Sequence, residues 1–156
     1  MGKRRIVELL LRKGVPVDAR LDGSLPDEDI DDKELPYWWP GGTALHFSVT
    51  RSLPITSLLL DRGASTTVKD GHGRTPLHIA AQHGAVDQIE VLLKRSADRH
   101  ARDTNGAIPL MLVNPSHTDV AGVLLKDAGK LDPVDAAELL HNAASRRESG
   151  QLSDLG

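Results

Sequence analysis

The chain has 156 residues, 39% of them hydrophobic, and a formal net charge of −3. That length suits one domain, and so small a charge gives no reason to make nucleic acid or a membrane surface the default partner. Cysteine is absent, which excludes disulfides and thiolate metal sites.

The basic start, Met1 to Arg5, leads into an apolar stretch interrupted by Glu8, Arg12 and Lys13. A secretory signal needs an unbroken apolar segment, so none is expected. No apolar run reaches the length of a bilayer span, and the expected location is cytoplasmic or nuclear. Only four residues are aromatic: Tyr37, Trp38, Trp39 and Phe47. The core must therefore be built from Leu, Ile, Val and Ala, which suits thin helices stacked closely in a row.

In chain order, Ile6 to Gly14 reads as a helix carrying Leu10-Leu11 and closed by glycine. A biased stretch follows, from 20 to 40. Asp22, Asp27, Glu28, Asp29, Asp31, Asp32 and Glu34 are acidic, and Pro36-Tyr37-Trp38-Trp39-Pro40 closes it. Gly41-Gly42-Thr43-Ala44-Leu45-His46 then opens a unit that runs through Leu59-Leu60 to Gly63-Ala64-Ser65. The next unit is the clearest. Asp70-Gly71-His72-Gly73 is turn chemistry, Thr75 caps a helix and Pro76 takes its first position. Leu77, Ala80 and Ala81 give that helix an apolar face and Gly84 ends it. A second helix spans about Val86 to Arg95, with Val86, Ile89, Leu92 and Leu93 on one stripe.

Ser96 stands where Gly14 and Gly63 stand in the other units, and a left-handed residue bearing a Cβ costs roughly 1 kcal/mol there. Asp103 restarts the cycle in a weaker form, Gly106-Ala107-Ile108-Pro109-Leu110-Met111. Asn114-Pro115 shortens its first helix and Asp119 to Lys126 forms the second. Asp132-Pro133 opens a last helix to about Ala144, expected as a cap, and a polar tail from 145 to 156 is expected to be disordered.

From Gly41 to Gly73 is 32 residues, and from Gly73 to Gly106 is 33. Recurrence at that period is the mark of a solenoid. The run Gly73 to His78, then Leu92-Leu93, then Ser96-Ala97-Asp98 closely resembles the ankyrin repeat, and the preceding unit matches through Gly41 to His46, Leu59-Leu60 and Gly63 to Ser65. The resemblance covers about Ile6 to Leu131 and implies an all-α fold: an ankyrin-repeat solenoid of stacked helix-turn-helix units joined by β-hairpin-type loops. The expected layout is one domain, 1–144. It holds a partial unit 6–20, the insertion 20–40, units 41–69, 70–102 and 103–131, and a capping helix 132–144.

The stretch from Ala101 to Gly106 spans 5 steps and that from Ala19 to Gly41 spans 22, so about 17 residues are inserted at the hairpin edge. Three readings of the insertion stand. Its tryptophans cover the incomplete N-terminal end, since large aromatics are usually buried. Or Tyr37, Trp38 and Trp39 anchor a partner, the acidic run steering a basic one toward them. Or Asp27, Asp29 and Asp31 start a calcium loop, against which Asp32 stands where glycine is needed and Trp38 where a bidentate glutamate is needed.

His46 and His78 occupy equivalent repeat positions, where the resemblance implies a local hydrogen bond bracing the turn. His78 and His83 are five apart and do not share a helix face as a ligand pair would. No nucleophile has a base and an orienting third group, so no catalysis and no cofactor are expected. Lys94, Arg95, Arg99, His100 and Arg102 form a basic stretch that reads as a solvated edge.

The resemblance implies a module that binds another protein through hairpin tips and the concave face of the first helices; a monomer is expected, with neither nucleic acid nor membrane as partner. The matching residues are Gly71, His72 and Arg74 on the central hairpin and Gln82 and His83 on its helix. Thr50, Arg51, Lys69, Arg102, Thr104, Asn105 and Ala107 are the neighbouring equivalents, joined by Tyr37, Trp38 and Trp39 of the insertion. A targeting or regulatory segment of a larger chain, enzymatic or not, is the alternative. A metal-binding or hydrolytic activity is the remote one.

Overall fold

A computed structural model of the chain describes residues 2–20, 41–114, 116–126, 132–137 and 139–141. The aromatic-acidic insertion and the 145–156 tail lie outside the described residues. The chain divides into two units, Met1–Leu124 and Leu125–Gly156. In the second, 133–137 and 139–141 are helical, over part of the helix expected from 132.

The first unit holds α1 (Gly2–Arg12), α2 (Ala44–Ser48), α3 (Leu53–Asp61), α4 (Pro76–Gln82), α5 (Val86–Lys94) and α6 (Thr118–Leu125). A 3-10 turn, Pro109–Leu112, stands between α5 and α6 in the chain. It replaces the first helix of the fourth repeat. Two rows result. The first helices α2 and α4 pack side by side, with the 3-10 turn next to α4, while α1, α3 and α5 form the second row. Within a repeat, α2 lies on α3 and α4 on α5.

The repeat register is visible in backbone geometry. Thr43, Thr75 and Ile108 precede the first helical element of successive repeats with (φ, ψ) of (−98°, 170°), (−84°, 166°) and (−88°, 161°). All three are buried. An extended residue before the first turn lets the chain enter the helix from the hairpin, and proline at the first helical positions of α4 and of the 3-10 turn fits the missing donor.

The seam between the rows is aliphatic. Leu45, Leu59, Leu77, Ile79, Ile89, Leu92 and Val120 are shielded almost entirely, with Ala80 and Ala81 letting helices approach closely. Burying such a leucine contributes about 1.5–3 kcal/mol. Repeat-equivalent positions are not equally covered, however. Leu59 and Leu92 are 1% and 0% exposed, while their counterpart Leu10 on α1 is 48% exposed. Val15 is 43% exposed where Ala64 and Ala97 are buried. Among the described residues, α1 has no first helix of its own repeat lying on it.

The second-row helices α1, α3 and α5 each close with a left-handed residue: Gly14 (φ 87°), Gly63 (φ 86°) and Ser96 (φ 61°). The following amide reaches five residues back in every case, as in Ala97 N–H to Leu92 O at 3.0 Å and Ala64 N–H to Leu59 O at 2.9 Å. Ser96 is the only described non-glycine residue with positive φ, and it is exposed. Ser96→Gly is therefore expected to raise stability by about 1 kcal/mol, read as a higher thermal midpoint. An unchanged or lower midpoint would contradict the strain.

Gly73 carries a different constraint. Its φ is 72°, and a Cβ built there would meet the Thr104 backbone nitrogen at 2.8 Å. The equivalent Gly106 has φ 81° with nothing within 4 Å among the described residues. Gly106→Ala should cost about the left-handed penalty alone, roughly 1 kcal/mol. Gly73→Ala adds a backbone clash between hairpins and should lower the denaturant midpoint clearly further. Equal losses would mean the hairpins do not touch there.

Candidate functional site

The hairpins are built by aspartate. Asp70 Oδ1 accepts from the backbone N–H groups of His72 (2.9 Å) and Arg74 (2.8 Å), and the Asp70 N–H donates to the Arg74 carbonyl at 2.9 Å. Asp103 repeats the pattern with Asn105 (2.8 Å), Ala107 (2.9 Å) and the Ala107 carbonyl (3.0 Å). A carboxylate that takes two turn amides replaces the ladder a longer hairpin would need.

Successive hairpins are then tied together. The Thr104 N–H and hydroxyl both donate to the His72 carbonyl, at 3.1 and 2.8 Å. Three basic side chains run along the same edge. Arg20 Nη1 donates to the Lys69 carbonyl (3.0 Å), Lys69 Nζ to the Arg102 carbonyl (2.8 Å), and Arg102 Nη1 to the Gly106 carbonyl (2.9 Å). Arg20 and Thr43 also form an antiparallel bridge.

The expected contact residues divide by what they already hold. Arg51, Lys69, Gly71, His72, Gln82, His83, Arg102, Thr104 and Asn105 are exposed. Thr50 is half-buried, and its hydroxyl donates to the Phe47 carbonyl at 3.2 Å. Arg74 lies against Asp70, with Nε at 3.0 Å and Nη2 at 2.9 Å from Oδ2 and its side chain only 15% exposed. Ala107 gives its N–H to Asp103 and its carbonyl to His78. Tyr37, Trp38 and Trp39 lie outside the described residues. Burial, with the Arg74 guanidinium second, lowers the pKa of His83. Arg20 was not among the expected residues. Its signal was faint, a cation at the position that Lys69-Asp70 and Arg102-Asp103 occupy in later repeats.

The two repeat histidines are joints. His78 Nδ1 accepts from the Thr75 backbone N–H (3.1 Å) and lies 2.9 Å from the Thr75 hydroxyl, while Nε2 is 3.0 Å from the Ala107 carbonyl. His46 repeats this with Thr43 and the Arg74 carbonyl, at 3.1, 3.0 and 3.1 Å. The threonine cap is thus completed by histidine, in the place glutamate takes in a common capping box. An amide N–H only donates and a carbonyl only accepts, so the neutral ring with its proton on Nε2 is the form that satisfies both. Among the described residues no group of three His, Asp or Glu is disposed to hold a metal.

Burial pushes the pKa of His46 and of His78 below the ordinary imidazole value. It outweighs the carbonyls of Arg74 and Ala107 and the carboxylates Asp70 and Asp103, which pull upward. The unfolded chain therefore takes up protons below pH 6.5 before the folded chain does. Stability is full above that value and declines as pH falls through it toward the lowered folded values. The urea midpoint is expected to drop between about pH 7.5 and about pH 5.5, and the drop should be shallower in His78→Gln. A midpoint that rises on acidification would contradict the neutral joint.

A family model described as ankyrin repeats matches residues 1–103 in three copies. Potassium channel AKT2/3 of Arabidopsis thaliana is 37% identical over 89 residues, 56% of this chain and 11% of the channel. Protein phosphatase 1 regulatory subunit 27 of Mus musculus is 37% identical over 81 residues, 51% of this chain and 53% of that protein. Putative ankyrin repeat protein FPV031 of Fowlpox virus is 32% identical over 138 residues, 84% of this chain and 36% of that protein. The chain thus spans about half, or less, of the length of these relatives. No described helix is long and apolar enough to cross a membrane. With matching caps, histidine joints and tied hairpins recurring at the family's period, the chain belongs to the ankyrin-repeat family.

Proposed function

We propose that this protein is a non-catalytic protein-binding module whose contact surface is the hairpin edge together with the exposed ends of α2 and α4. The observation that carries this reading is the hydrogen-bonded tie between hairpins, from Thr104 to the His72 carbonyl and from Lys69 to the Arg102 carbonyl. It holds exposed side chains at fixed repeat spacing before a partner arrives, which limits the ordering cost of association. Arg51, Lys69, Gly71, His72, Gln82, His83, Arg102, Thr104 and Asn105 form the contact set, with Thr50 at its margin. Arg74 and Ala107 serve it from beneath, as supports of the turn. Tyr37, Trp38 and Trp39 are proposed as partner anchors on the strength of their residue types. Cytoplasmic or nuclear residence and a monomeric state accompany the proposal.

A second reading is favoured by one observation. The matches to the Arabidopsis channel and to 2-5A-dependent ribonuclease of Mus musculus cover 11% and 8% of those proteins. Repeats of this kind therefore also occur as small parts of long chains, and this chain would then be a regulatory or targeting segment.

The test is affinity capture with the intact chain and with the triple variant Arg51→Ala/Gln82→Ala/His83→Ala. The expected outcome is a protein retained by the first and lost by the second, with thermal midpoints that agree. Retention equal in both would move the contact surface elsewhere.

A further inference from the structure

Charge is segregated over the first unit. On the second helices, acids and bases mix and pair: Arg95 with Asp61, and Lys94 with Glu90 at 3.8 Å. Along the hairpin edge Arg20, Lys69 and Arg102 are exposed cations at equivalent repeat positions, with Arg51, His72 and His83 exposed nearby; the exposed acids Asp87 and Asp98 lie in the first turn of α5 and in the loop after it. The carboxylates of the same edge are turned inward. Asp70 is buried on its own turn amides and on Arg74, Asp103 accepts from two turn amides, and Asp18 accepts from the Ser65 N–H at 3.0 Å.

From this we infer that the hairpin edge takes an acidic peptide segment, the inference resting on the proposed reading of that edge as the contact surface. Three features of the edge fit that partner. The cations recur once per repeat in equivalent positions, so acids spaced along an extended chain meet them in register. Arginine presents a planar fork that matches a carboxylate. Phe47, the one aromatic among the described residues, packs against the core, so the described part of the edge offers no platform on which bases would stack. Peptide is therefore favoured over single-stranded nucleic acid.

The probe is a short labelled peptide rich in Asp and Glu, followed by fluorescence anisotropy against the full chain. A Lys-rich peptide and a single-stranded DNA oligonucleotide serve as comparisons. The acidic peptide is expected to bind at about 25 mM salt and to weaken at about 300 mM, where screening is strong. Lys69→Gln/Arg102→Gln should weaken it about tenfold, because cross-interface charge complementarity is removed. Lys94→Gln, on the outer surface, should leave it unchanged. Glutamine keeps a donor for each carbonyl in the row, and Arg51→Gln, on the helix end, gives the same readout should the double variant lose stability. Three outcomes overturn the inference: no binding of the acidic peptide at low salt, preference for the oligonucleotide, or equal weakening by Lys94→Gln. A captured protein whose binding ignores Lys69→Gln/Arg102→Gln and Arg51→Gln would leave the binding module standing and remove the acidic partner alone.

Discussion

In each of the two central repeats, one neutral imidazole joins two elements that would otherwise have to be held by packing alone. His78 accepts the N–H of Thr75, the residue that caps its own helix, on one nitrogen and donates a hydrogen bond to the next hairpin's carbonyl with the other. His46 does the same one repeat earlier. The cap and the inter-repeat contact are thus a single device, shielded from water and dependent on one tautomer. Where the device is missing, the helix shrinks. Ile108 and Met111 occupy the threonine and histidine positions of the fourth repeat, and only a 3-10 turn from Pro109 to Leu112 forms there. Lost capping and the nearby Asn114-Pro115 act in the same direction, since both remove support for a further helical turn.

From that joint the binding surface follows. Because the histidines fix each hairpin's distance from the helix rows, the hairpins lie close enough for Thr104 to reach His72 and for a glycine to be required at 73. Asp70 and Asp103 commit their carboxylates to turn amides, while the cations that precede them, Lys69 and Arg102, face outward. The net charge of −3 conceals this. It sums an acidic insertion, a mixed helical surface and a cationic edge.

Much of this was legible in the residues. Threonine, proline and histidine at a fixed period located the cap, the helix start and the joint. Ser96 in a glycine position announced a strained turn, and its φ of 61° agrees. Two second helices fell within a residue of expectation at Val86–Lys94 and Thr118–Leu125, because their apolar stripes and flanking turns are strong signals, while α1, expected from Ile6 to Gly14, runs from Gly2 to Arg12. The candidate site was read less well. Arg74 looked like a variable hairpin tip but is held by Asp70 four positions earlier, a pairing that depends on how the turn folds and not on any periodicity. The carbonyl contacts of Arg20 and Lys69 were invisible for a similar reason: backbone acceptors in another repeat leave no mark in the sequence.

The uneven covering of Leu10, Leu59 and Leu92 bears on how the array comes apart. In a row of units that touch only their neighbours, a helix leans on whatever lies immediately beside it. The second helix of the central repeat is enclosed by α4 and α3, while α1 rests on α3 with Leu9 and Leu10 about half exposed. Opening is then graded along the row, with amides of α1 exchanging with solvent well before those of α5. Identical leucines at one repeat position are in this way assigned different lifetimes by their company alone.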